Sequence, residues 1–582
     1  MPTEKPWPIE AYLAERLEGA ITRAGLSMPD GARVEVEVPR EPEHGDWATP
    51  VALTLAKTAR RPPREVAKSL LESLEVEADV VSAAEIAGAG FINFRLAPAW
   101  LAANVRRILS APTTYGSSPV GRGEKILIEY VSANPTGPLN VVNARAASIG
   151  DALIRILNAA GFEARGEFYA NDWGLQAELF GASIRTRFAE RIGLKAPAIP
   201  DEGYAGAYVI EIADAIPESE GREWLKLPER EQRLRFAAWG IDRMLDRQER
   251  DLTRFGARID RWFRESELHR GGAVEKARAR LVELGLTEER DGALWFRSTA
   301  FGDQEDRVIV RANGEPTYFL ADAAYHHDKF ARGFDRLIDL LGPDHHGHIQ
   351  RMQGVIEALR WPRDRFEVVL IQWVRLLRGG EPVKMSKRGG EFIALEELVD
   401  EVGVDAARFF FLMRRAESPL DFDLELAVKR SEDNPVYYVQ YAHARIAHVL
   451  DYARQQGVPE PGLDAARPDL LDEPETLVLL RGIAGFPSLV AAAAKHREPH
   501  RIPMYLKELA AKFHSFYHHH RVVGPDADVT AARLLLTRAT GVVFHRGLDL
   551  LGVSAPKNPP ANVSPAPVGS STLSIGTAGA VK

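Results

Sequence analysis

The chain has 582 residues, of which 45% are hydrophobic and 27% charged, and its formal net charge is −8. This length exceeds what one hydrophobic core supports, so about three or four domains are expected. The acidic balance excludes a uniformly basic nucleic-acid binder, although basic residues gathered on one face could still contact RNA. Because the chain contains no cysteine, disulfides and thiolate metal sites are excluded. We find no apolar stretch of membrane-spanning length and no signal-peptide core, and we expect a cytoplasmic protein without membrane contact.

The first 112 residues are predicted to form a small α+β domain. Apolar residues recur at helical spacing over residues 9–24, and residues 34–38 alternate as a strand does. A helical stretch over residues 50–74 is interrupted by adjacent prolines, and residues 90–94 close the unit with a strand. A linker rich in Gly, Ser and Pro follows at residues 111–123.

Residues 125–151 begin the central domain. A short apolar strand, residues 126–131, runs into Asn134-Pro135-Thr136-Gly137-Pro138, which cannot continue a strand. A helical pattern then extends from Asn143 to Gly161, and residues 162–170 form the next strand. Strand, turn, helix and strand in this order is the opening unit of a nucleotide-binding parallel sheet.

The rest of the chain alternates between helical and strand patterns. Long charged helical patterns between residues 181 and 303 predict an insertion within the central domain. Short strands are predicted at residues 307–311, 334–341 and 366–371, and the second of these runs into the polar loop 342–348. Ligands on open parallel sheets bind beyond the carboxyl ends of the strands, where this loop lies. A helical domain should then continue to about residue 553, before a tail rich in Pro, Ala, Ser and Gly that we predict to be disordered.

Four collinear segments resemble one family. They are Ser-Ala-Asn-Pro-Thr-Gly-Pro-Leu at 132–139, Tyr-Ala-Asn-Asp-Trp-Gly at 169–174, Lys-Met-Ser-Lys-Arg at 384–388 and Asn-Pro-Val-Tyr-Tyr-Val-Gln-Tyr-Ala-His-Ala-Arg at 434–445. Together they resemble class I aminoacyl-tRNA synthetases, and within that class the arginyl-tRNA synthetases. The resemblance implies an α/β fold: a Rossmann-like parallel-sheet catalytic domain, a small α+β N-terminal domain and an all-α anticodon-binding bundle. The implied boundaries are 1–112 for the N-terminal domain, which would contact the tRNA, and 122–402 for the catalytic domain, with the insertion at about 181–303. The anticodon-binding bundle would span 403–555 and a disordered tail 556–582.

The activity implied by the resemblance is ATP-dependent ligation of L-arginine to tRNA(Arg) through an arginyl-adenylate, with Mg²⁺ accompanying ATP. The partners would be tRNA(Arg), arginine and ATP, and we expect a monomer. One tetrapeptide departs from the family, because Asn140-Val141-Val142-Asn143 stands where the family has His-x-Gly-His. Asparagine keeps a neutral donor but cannot become cationic, and Val142 adds a branched side chain where the family has glycine.

The ATP site is expected at the tetrapeptide, the polar loop and the lysine loop. Lys384 and Lys387, in a glycine-flanked loop, are suited to stabilise the charge that builds on the phosphates in the transition state. The resemblance assigns Asn140 and Asn143 to the same catalytic role. The remaining ATP-binding residues that it implies are Pro138, Val142, Asp344, His346, Met385 and Ser386.

An arginine pocket needs carboxylates for the guanidinium and polar groups for the other end of the substrate. The resemblance places Glu129, Ser132, Asn134, Tyr318 and Asp322 in this pocket. Tyr318 and Asp322 are four apart, on one face of a predicted helix. Each carboxylate lies among apolar residues and needs a cationic partner, which could be the substrate or a buried arginine of the protein itself.

Aromatic and polar residues alternate on one predicted helix of the C-terminal domain. Unstacked RNA bases lie on such rings, so we assign tRNA contact to Tyr437, Gln440, Tyr441 and Arg445, with some of these aromatics serving as bundle core instead. We predict no metal site: the histidines of the 342–348 loop lack a third ligand, and those at 518–520 are expected on a helix surface.

Two functions from different classes remain open on the sequence. The first is an active arginine–tRNA ligase, favoured by the two lysines and the complete pocket set. The second is a paralogue that binds tRNA or arginine without activating it, because the two histidines are replaced.

Overall fold

The computed structural model describes residues 8–39, 44–195, 197–383 and 393–558. The helices are α1 (Ile9–Arg23), α2 (Val51–Ala59), α3 (Pro63–Glu72), α4 (Pro98–Ser110), α5 (Val141–Ala159), α6 (Leu175–Arg191), α7 (Ala207–Asp214), α8 (Glu218–Trp224), α9 (Glu229–Arg254), α10 (Glu265–Arg270), α11 (Ala273–Glu283), α12 (Tyr318–Ala331), α13 (His346–Ala358), α14 (Leu395–Val402), α15 (Val404–Leu412), α16 (Leu424–Val428), α17 (Pro435–Gln455), α18 (Pro474–Ala484), α19 (Phe486–His496), α20 (Arg501–His519) and α21 (Ala527–Leu550). The strands are β1 (Trp47–Thr49), β2 (Val81–Ala87), β3 (Phe91–Leu96), β4 (Lys125–Glu129), β5 (Glu163–Ala170), β6 (Arg261–Arg264), β7 (Thr287–Arg290), β8 (Ala293–Phe296), β9 (Arg307–Val310), β10 (Arg336–Leu341), β11 (Phe366–Leu370), β12 (Val374–Arg378), β13 (Glu381–Pro382) and β14 (Leu420–Asp423).

The N-terminal unit is an antiparallel sheet of order β1-β3-β2 packed against helices. The helical stretch breaks as predicted, with α2 ending at Arg60 in a left-handed conformation (φ 51°). The strand predicted at residues 34–38 is wrong: only Glu37 forms a bridge, to Ala48. Val38 is 54% exposed, so the alternation here reflects a segment at the sheet edge that pairs with β1 at a single residue and does not form a strand.

The catalytic fold is built on a five-stranded parallel sheet of order β11-β10-β4-β5-β6. The chain starts at β4 in the centre, moves outward through β5 and β6, and then returns to β10 on the other side of β4. Strand order therefore reverses between β4 and β10, which is the position where doubly wound sheets bind ligands. The fold class predicted from the sequence is confirmed, and the carboxyl ends of β4 and β10 define where to look for the site.

The predicted insertion at 181–303 is corrected by this topology. Helices α6 and α9 do leave the sheet and pack on each other, but β6 returns to pair with β5 in parallel. Strands β7, β8 and β9 then form a separate antiparallel sheet, so the strand predicted at 307–311 exists without belonging to the central one. A four-residue strand such as β6 carries too little periodicity to be separated from its charged surroundings.

Helices α17 to α21 form the C-terminal bundle, in which α17 packs against α20 and α21. The consecutive helices over Pro474–His496 are apolar enough in length and composition to span a membrane, contrary to our expectation, and just over half of their most apolar stretch is buried inside the protein. Such burial is what the core helices of a bundle show.

The predicted tail is bound at its start. The amide of Ser554 donates to Asp405 (2.9 Å), and the carbonyl of Pro556 lies 2.9 Å from Nδ1 of His443. Residues 554–556 are thus tied to the bundle and its junction with the catalytic domain, which corrects the boundary given to the tail. Residues 559–582 lie outside the described part of the chain.

Candidate active site

The chain leaves β4 through a strained turn. Val131 (φ 71°) and Ser132 (φ 40°) are both left-handed, a conformation that costs a β-branched residue most. The turn brings Ser132 Oγ to 2.8 Å from Glu129 Oε1, and the amide of Tyr169 on β5 donates to the same hydroxyl (3.2 Å). Two of the residues predicted for the arginine pocket are therefore hydrogen-bonded to each other at the end of the central strand.

The following loop is fixed from the side by α9. Gln248 is fully buried, and its Nε2 donates to the carbonyls of Asn134 (3.2 Å) and Gly137 (2.9 Å). The Asn134 side chain is exposed beside the same cleft edge. Sequence reasoning missed Gln248, whose only signal was an amide on the apolar face of a charged helix.

Helix α5 begins with a capping box made by the two asparagines that replace the family's histidines. Asn140 Oδ1 accepts from the amides of Val142 (2.9 Å) and Asn143 (3.2 Å), and Asn143 Oδ1 accepts from the amide of Asn140 (3.0 Å). Asparagine is among the best N-cap residues, so the substitution suits the helix start. The N-terminus of this 19-residue helix, with its partial positive charge, faces the carboxyl edge of the sheet.

The same helix is held to the sheet by a buried arginine. Arg145 is fully buried and donates to the carbonyls of Gln372 (2.8 Å), Arg415 (2.9 Å) and Ser418 (2.8 Å). Burial lowers the pKa of Arg145 to about 10. Gln372, which follows β11, thus holds α5 in place through its backbone carbonyl.

Helix α12 brings the other predicted pocket residues to the same edge. Tyr318, at its first turn, is 57% exposed, and the side chain of Asp322 is 35% exposed. Burial raises the pKa of Tyr169, and the nearby carboxylates of Glu265, Asp322 and Glu129 raise it further. The ring of Tyr169 packs against Tyr325 of α12 (4.6 Å between ring centroids) and its amide contacts Ser132, so Tyr169 lies between the end of β4 and α12, near Glu129 and Asp322.

A buried charged network lies beneath this pocket. Lys329 Nζ is 2.5 Å from Glu129 Oε2 and 2.9 Å from Asp339 Oδ1, and the side chain of Lys329 is fully buried. His326 Nε2 lies 2.7 Å from Asp339 Oδ2. A pocket carboxylate thus does have an internal cationic partner, but the partner of Glu129 is a lysine and not the arginine that the sequence left open. Sequence reasoning missed Lys329, His326 and Asp339, although Asp339 inside an apolar strand was a usable signal.

The polar loop after β10 is not extended. Pro343–His345 is a 3₁₀ turn, and α13 starts directly at His346. Asp344 is exposed at the carboxyl edge of the sheet, and His348 Nε2 lies 3.2 Å from Asp322 Oδ2. No group of three potential metal ligands occurs among the described residues.

The residues predicted for the lysine loop lie outside the described part of the chain: Lys384, Met385, Ser386 and Lys387. Its far flank is described: Ala394 forms a bridge with Asn140 at the start of α5. The chain that follows the loop therefore passes the N-terminus of α5.

The residues assigned to tRNA separate into two groups. Arg445 stacks over Tyr441 (4.7 Å to the ring centroid) and donates to its hydroxyl (2.6 Å), and Tyr441 stacks on Tyr437 (5.9 Å between centroids). Gln440 is buried, and its amide donates to Asp405 (2.8 Å) and to the carbonyl of Ser554 (3.0 Å). This amide is committed to the junction, where an RNA base has no access, so the predicted contact of Gln440 with tRNA is not supported.

Sequence models of three families match consecutive parts of the chain. They are described as the arginyl tRNA synthetase N terminal domain (residues 11–96), the catalytic domain of tRNA synthetases class I (R) (residues 104–415) and the DALR anticodon binding domain (residues 439–558). The sheet and these matches define a class I aminoacyl-tRNA synthetase.

Comparison with individual proteins narrows the class. The arginine–tRNA ligase of Desulforamulus reducens is 45% identical over 553 residues, covering 94% of this chain and 98% of the relative. That of Carboxydothermus hydrogenoformans is 46% identical over 550 residues, covering 94% and 98%. Thermus thermophilus arginyl-tRNA synthetase has the same fold, with a TM-score of 0.75 at 22% identity over 94% of this chain and all of the other. The chain belongs to the arginyl-tRNA synthetase family.

Proposed function

We infer that this protein ligates L-arginine to tRNA(Arg) through an arginyl-adenylate. The observation that carries the inference is the cluster of Glu129, Ser132 and Asp322 around Tyr169, next to the N-terminus of α5. A cation pocket and an anion-binding helix start are thereby adjacent, as a reaction between arginine and ATP requires. The similarity to arginine–tRNA ligases supports the same activity. Nothing in the comparisons favours the impaired paralogue.

Arginine is proposed to bind with its guanidinium toward Asp322 and Tyr318. Asp322 is only partly exposed, so its carboxylate is a strong partner for a planar cation. Ser132, Asn134 and Glu129 are proposed to hold the polar atoms of the substrate from the β4 side. The arginine carboxylate would then attack the α-phosphate of ATP, forming one P–O bond while the bond to pyrophosphate breaks.

ATP is proposed to lie over the start of α5, with its phosphates at Asn140 and Asn143. Pro138 and Val142 would border the nucleotide, with Asp344 and His346 on the opposite side. Lys384 and Lys387 are proposed to reach the phosphates from their loop, whose described flank lies at Asn140. Because the described residues contain no metal-ligand cluster, we propose that Mg²⁺ arrives coordinated by the phosphates of ATP.

The tRNA is proposed to contact the bundle at Tyr441 and Arg445, where a guanidinium and a ring that stacks on the buried Tyr437 can receive unpaired bases. A hydroxyl of its terminal ribose would attack the adenylate carbonyl and release AMP. We further propose a cytoplasmic monomer with domains at 1–112, 122–402 and 403–555.

The test is ATP–pyrophosphate exchange with arginine, with and without tRNA(Arg). We expect tRNA-dependent exchange at a reduced rate, and the absence of any exchange at saturating tRNA would refute the proposed enzymatic activity.

Asp322→Asn should raise the arginine KM about 100-fold, because a charged hydrogen bond contributes about 1.5–3 kcal/mol. Asp328→Asn is the matched control: it changes an aspartate on the same helix with similar exposure, 34% against 35%, and should leave the arginine KM unchanged.

A further inference from the structure

The buried network beneath the pocket contains three ionisable side chains that have no direct part in the proposed reaction: Lys329, His326 and Asp339. Lys329 and His326, both on α12, meet Asp339 on β10, and Lys329 also meets Glu129 on β4. All four side chains are less than 10% exposed. Burying four ionisable groups is costly unless each is paired, so the arrangement requires an explanation beyond packing.

Both nitrogens of the His326 ring contact neighbouring groups of the protein. Nδ1 of His326 faces the carbonyl of Asp322 (2.8 Å), and its Nε2 faces a carboxylate oxygen of Asp339. Both ring nitrogens therefore lie within hydrogen-bond distance of an oxygen atom. The lysine and the histidine are thus both in contact with Asp339 before any substrate binds.

The network touches both sides of the proposed arginine pocket. Lys329 fixes Oε2 of Glu129, which leaves Oε1 turned to Ser132. His326 contacts the backbone carbonyl of Asp322 through one ring nitrogen and the carboxylate of Asp339 through the other. Asp339, on the strand next to β4, is thus the common anchor of a pocket residue on the sheet and a pocket residue on the helix.

We propose that Lys329, His326 and Asp339 are positioning residues that set the geometry of the arginine pocket. This proposal rests on the arginine pocket of the proposed function. In it, Asp322 supplies the counter-charge for the guanidinium, whereas Glu129 is neutralised by Lys329 and serves as an oriented hydrogen-bond acceptor. Asp339 and Lys329 are held charged by each other: Lys329 and His326 outweigh burial and lower the pKa of Asp339, and the two carboxylates raise that of Lys329 against burial.

The test keeps the charge of the network constant. Lys329→Met alone leaves two buried carboxylates with too few partners and is expected to fold poorly. The double variant Lys329→Met, Asp339→Asn removes one charge of each sign and releases Glu129 and His326 from their anchor. In tRNA-dependent exchange we expect its arginine KM to rise about tenfold or more, since a small misplacement of substrate-binding groups is costly. Its ATP KM should stay within about twofold. Its melting temperature should fall, because Glu129 loses its cationic partner, so the kinetics are measured well below the melting temperature of the variant.

A matched control removes a comparable tie from the same helix. Arg332, at the end of α12, donates twice to the buried Glu167 on β5 (2.6 and 2.8 Å) and contacts neither Glu129 nor Asp322. The double variant Arg332→Met, Glu167→Gln should leave the arginine KM unchanged. An unchanged arginine KM in the folded Lys329→Met, Asp339→Asn variant would overturn the proposal, as would equal rises in the arginine and ATP KM values or an equal effect of the control.

The outcome separates the two levels of inference. If Asp322→Asn raises the arginine KM and the Lys329 double variant does not, the pocket stands and the positioning role fails. If Asp322→Asn has no effect on the arginine KM, the pocket assignment itself fails.

Discussion

Asn140 serves two roles that can be separated by substitution. Its side-chain oxygen caps α5, and its position at the helix start puts it where we propose the ATP phosphates. The cap depends on a side-chain acceptor, whereas phosphate binding depends on the absence of negative charge and on a donor. Serine and aspartate both cap helices well, but they differ in charge.

We predict that Asn140→Asp keeps the melting temperature and raises the ATP KM at least about tenfold, the effect of about 1.4 kcal/mol of repulsion. Asn140→Ser should preserve both the cap and most of the ATP affinity, and Asn140→Ala should lose about 1 kcal/mol of stability. Thermal unfolding and exchange kinetics on the three variants check this. An Asp variant with the ATP affinity of the parent would mean that the phosphates lie elsewhere.

At the scale of elements, α5 is positioned by Arg145. Its guanidinium satisfies three carbonyls, one after β11 and two in the segment that leads into the bundle. The guanidinium of Arg145 thus connects α5 to the sheet and to the segment that leads into the bundle. Removing the guanidinium leaves the three buried carbonyls without donors.

Arg145→Met should therefore lower the free energy of unfolding by about 3 kcal/mol or more. Arg155→Met, on the same helix, should cost less than about 1 kcal/mol, because Arg155 is 35% exposed and makes ion pairs only partly shielded from water. Denaturant titration of both variants measures the difference, and equal losses would contradict the role given to Arg145.

The contact between α17 and α20 should make bundle stability depend on pH. Burial, together with neighbouring Arg445, lowers the pKa of His514 to about 4 in the folded chain, against about 6.5 when unfolded. The unfolded chain then binds the proton more readily, so this contribution to stability is complete above about pH 6.5 and is lost as the pH falls toward 4.

Between pH 7 and pH 5, the melting temperature of His514→Gln should fall by about 2 °C less than that of the parent. His519→Gln changes an exposed histidine on the same helix and should leave the slope as it is. Parallel slopes for the parent and His514→Gln would show that His514 carries no such effect.

At the scale of the whole molecule, the N-terminal unit is joined to the bundle directly. Arg481 on α18 lies 2.7 Å from Asp46, which precedes β1, and Tyr115 donates to the carbonyl of Ile483 (2.9 Å). Burial raises the pKa of Asp46 while Arg481 opposes the shift. The N-terminal unit, which the family resemblance predicts to contact tRNA, and the bundle are thereby held at a fixed separation.

Arg481→Met should raise the KM for tRNA about threefold, the effect expected of a partly exposed ion pair, and leave the KM values for arginine and ATP unchanged. Arg467→Met removes an ion pair confined to the bundle surface and should change none of the three. Aminoacylation kinetics with each substrate varied in turn measure this, and a tRNA KM unaffected by Arg481→Met would argue against the fixed separation.

The sequence by itself determined the order of the parts. Apolar strands, the turn after β4 and the helical periodicity of α5 and α17 are local signals. The four collinear motifs identified the family and suggested the residues that we propose for the pocket. Local signals could not distinguish β6 from its surroundings or exclude a strand at residues 34–38, since pairing depends on what lies alongside.

Only the tertiary structure decided which charges face each other. Lys329 is 200 residues from Glu129 and Arg145 is 227 from Gln372, yet each pair is in contact. The cost of burying an ion is settled by partners brought together through the fold, which no local pattern records. For the same reason Gln440 was assigned to RNA from its neighbours in sequence, whereas its neighbours in space hold it inside the junction.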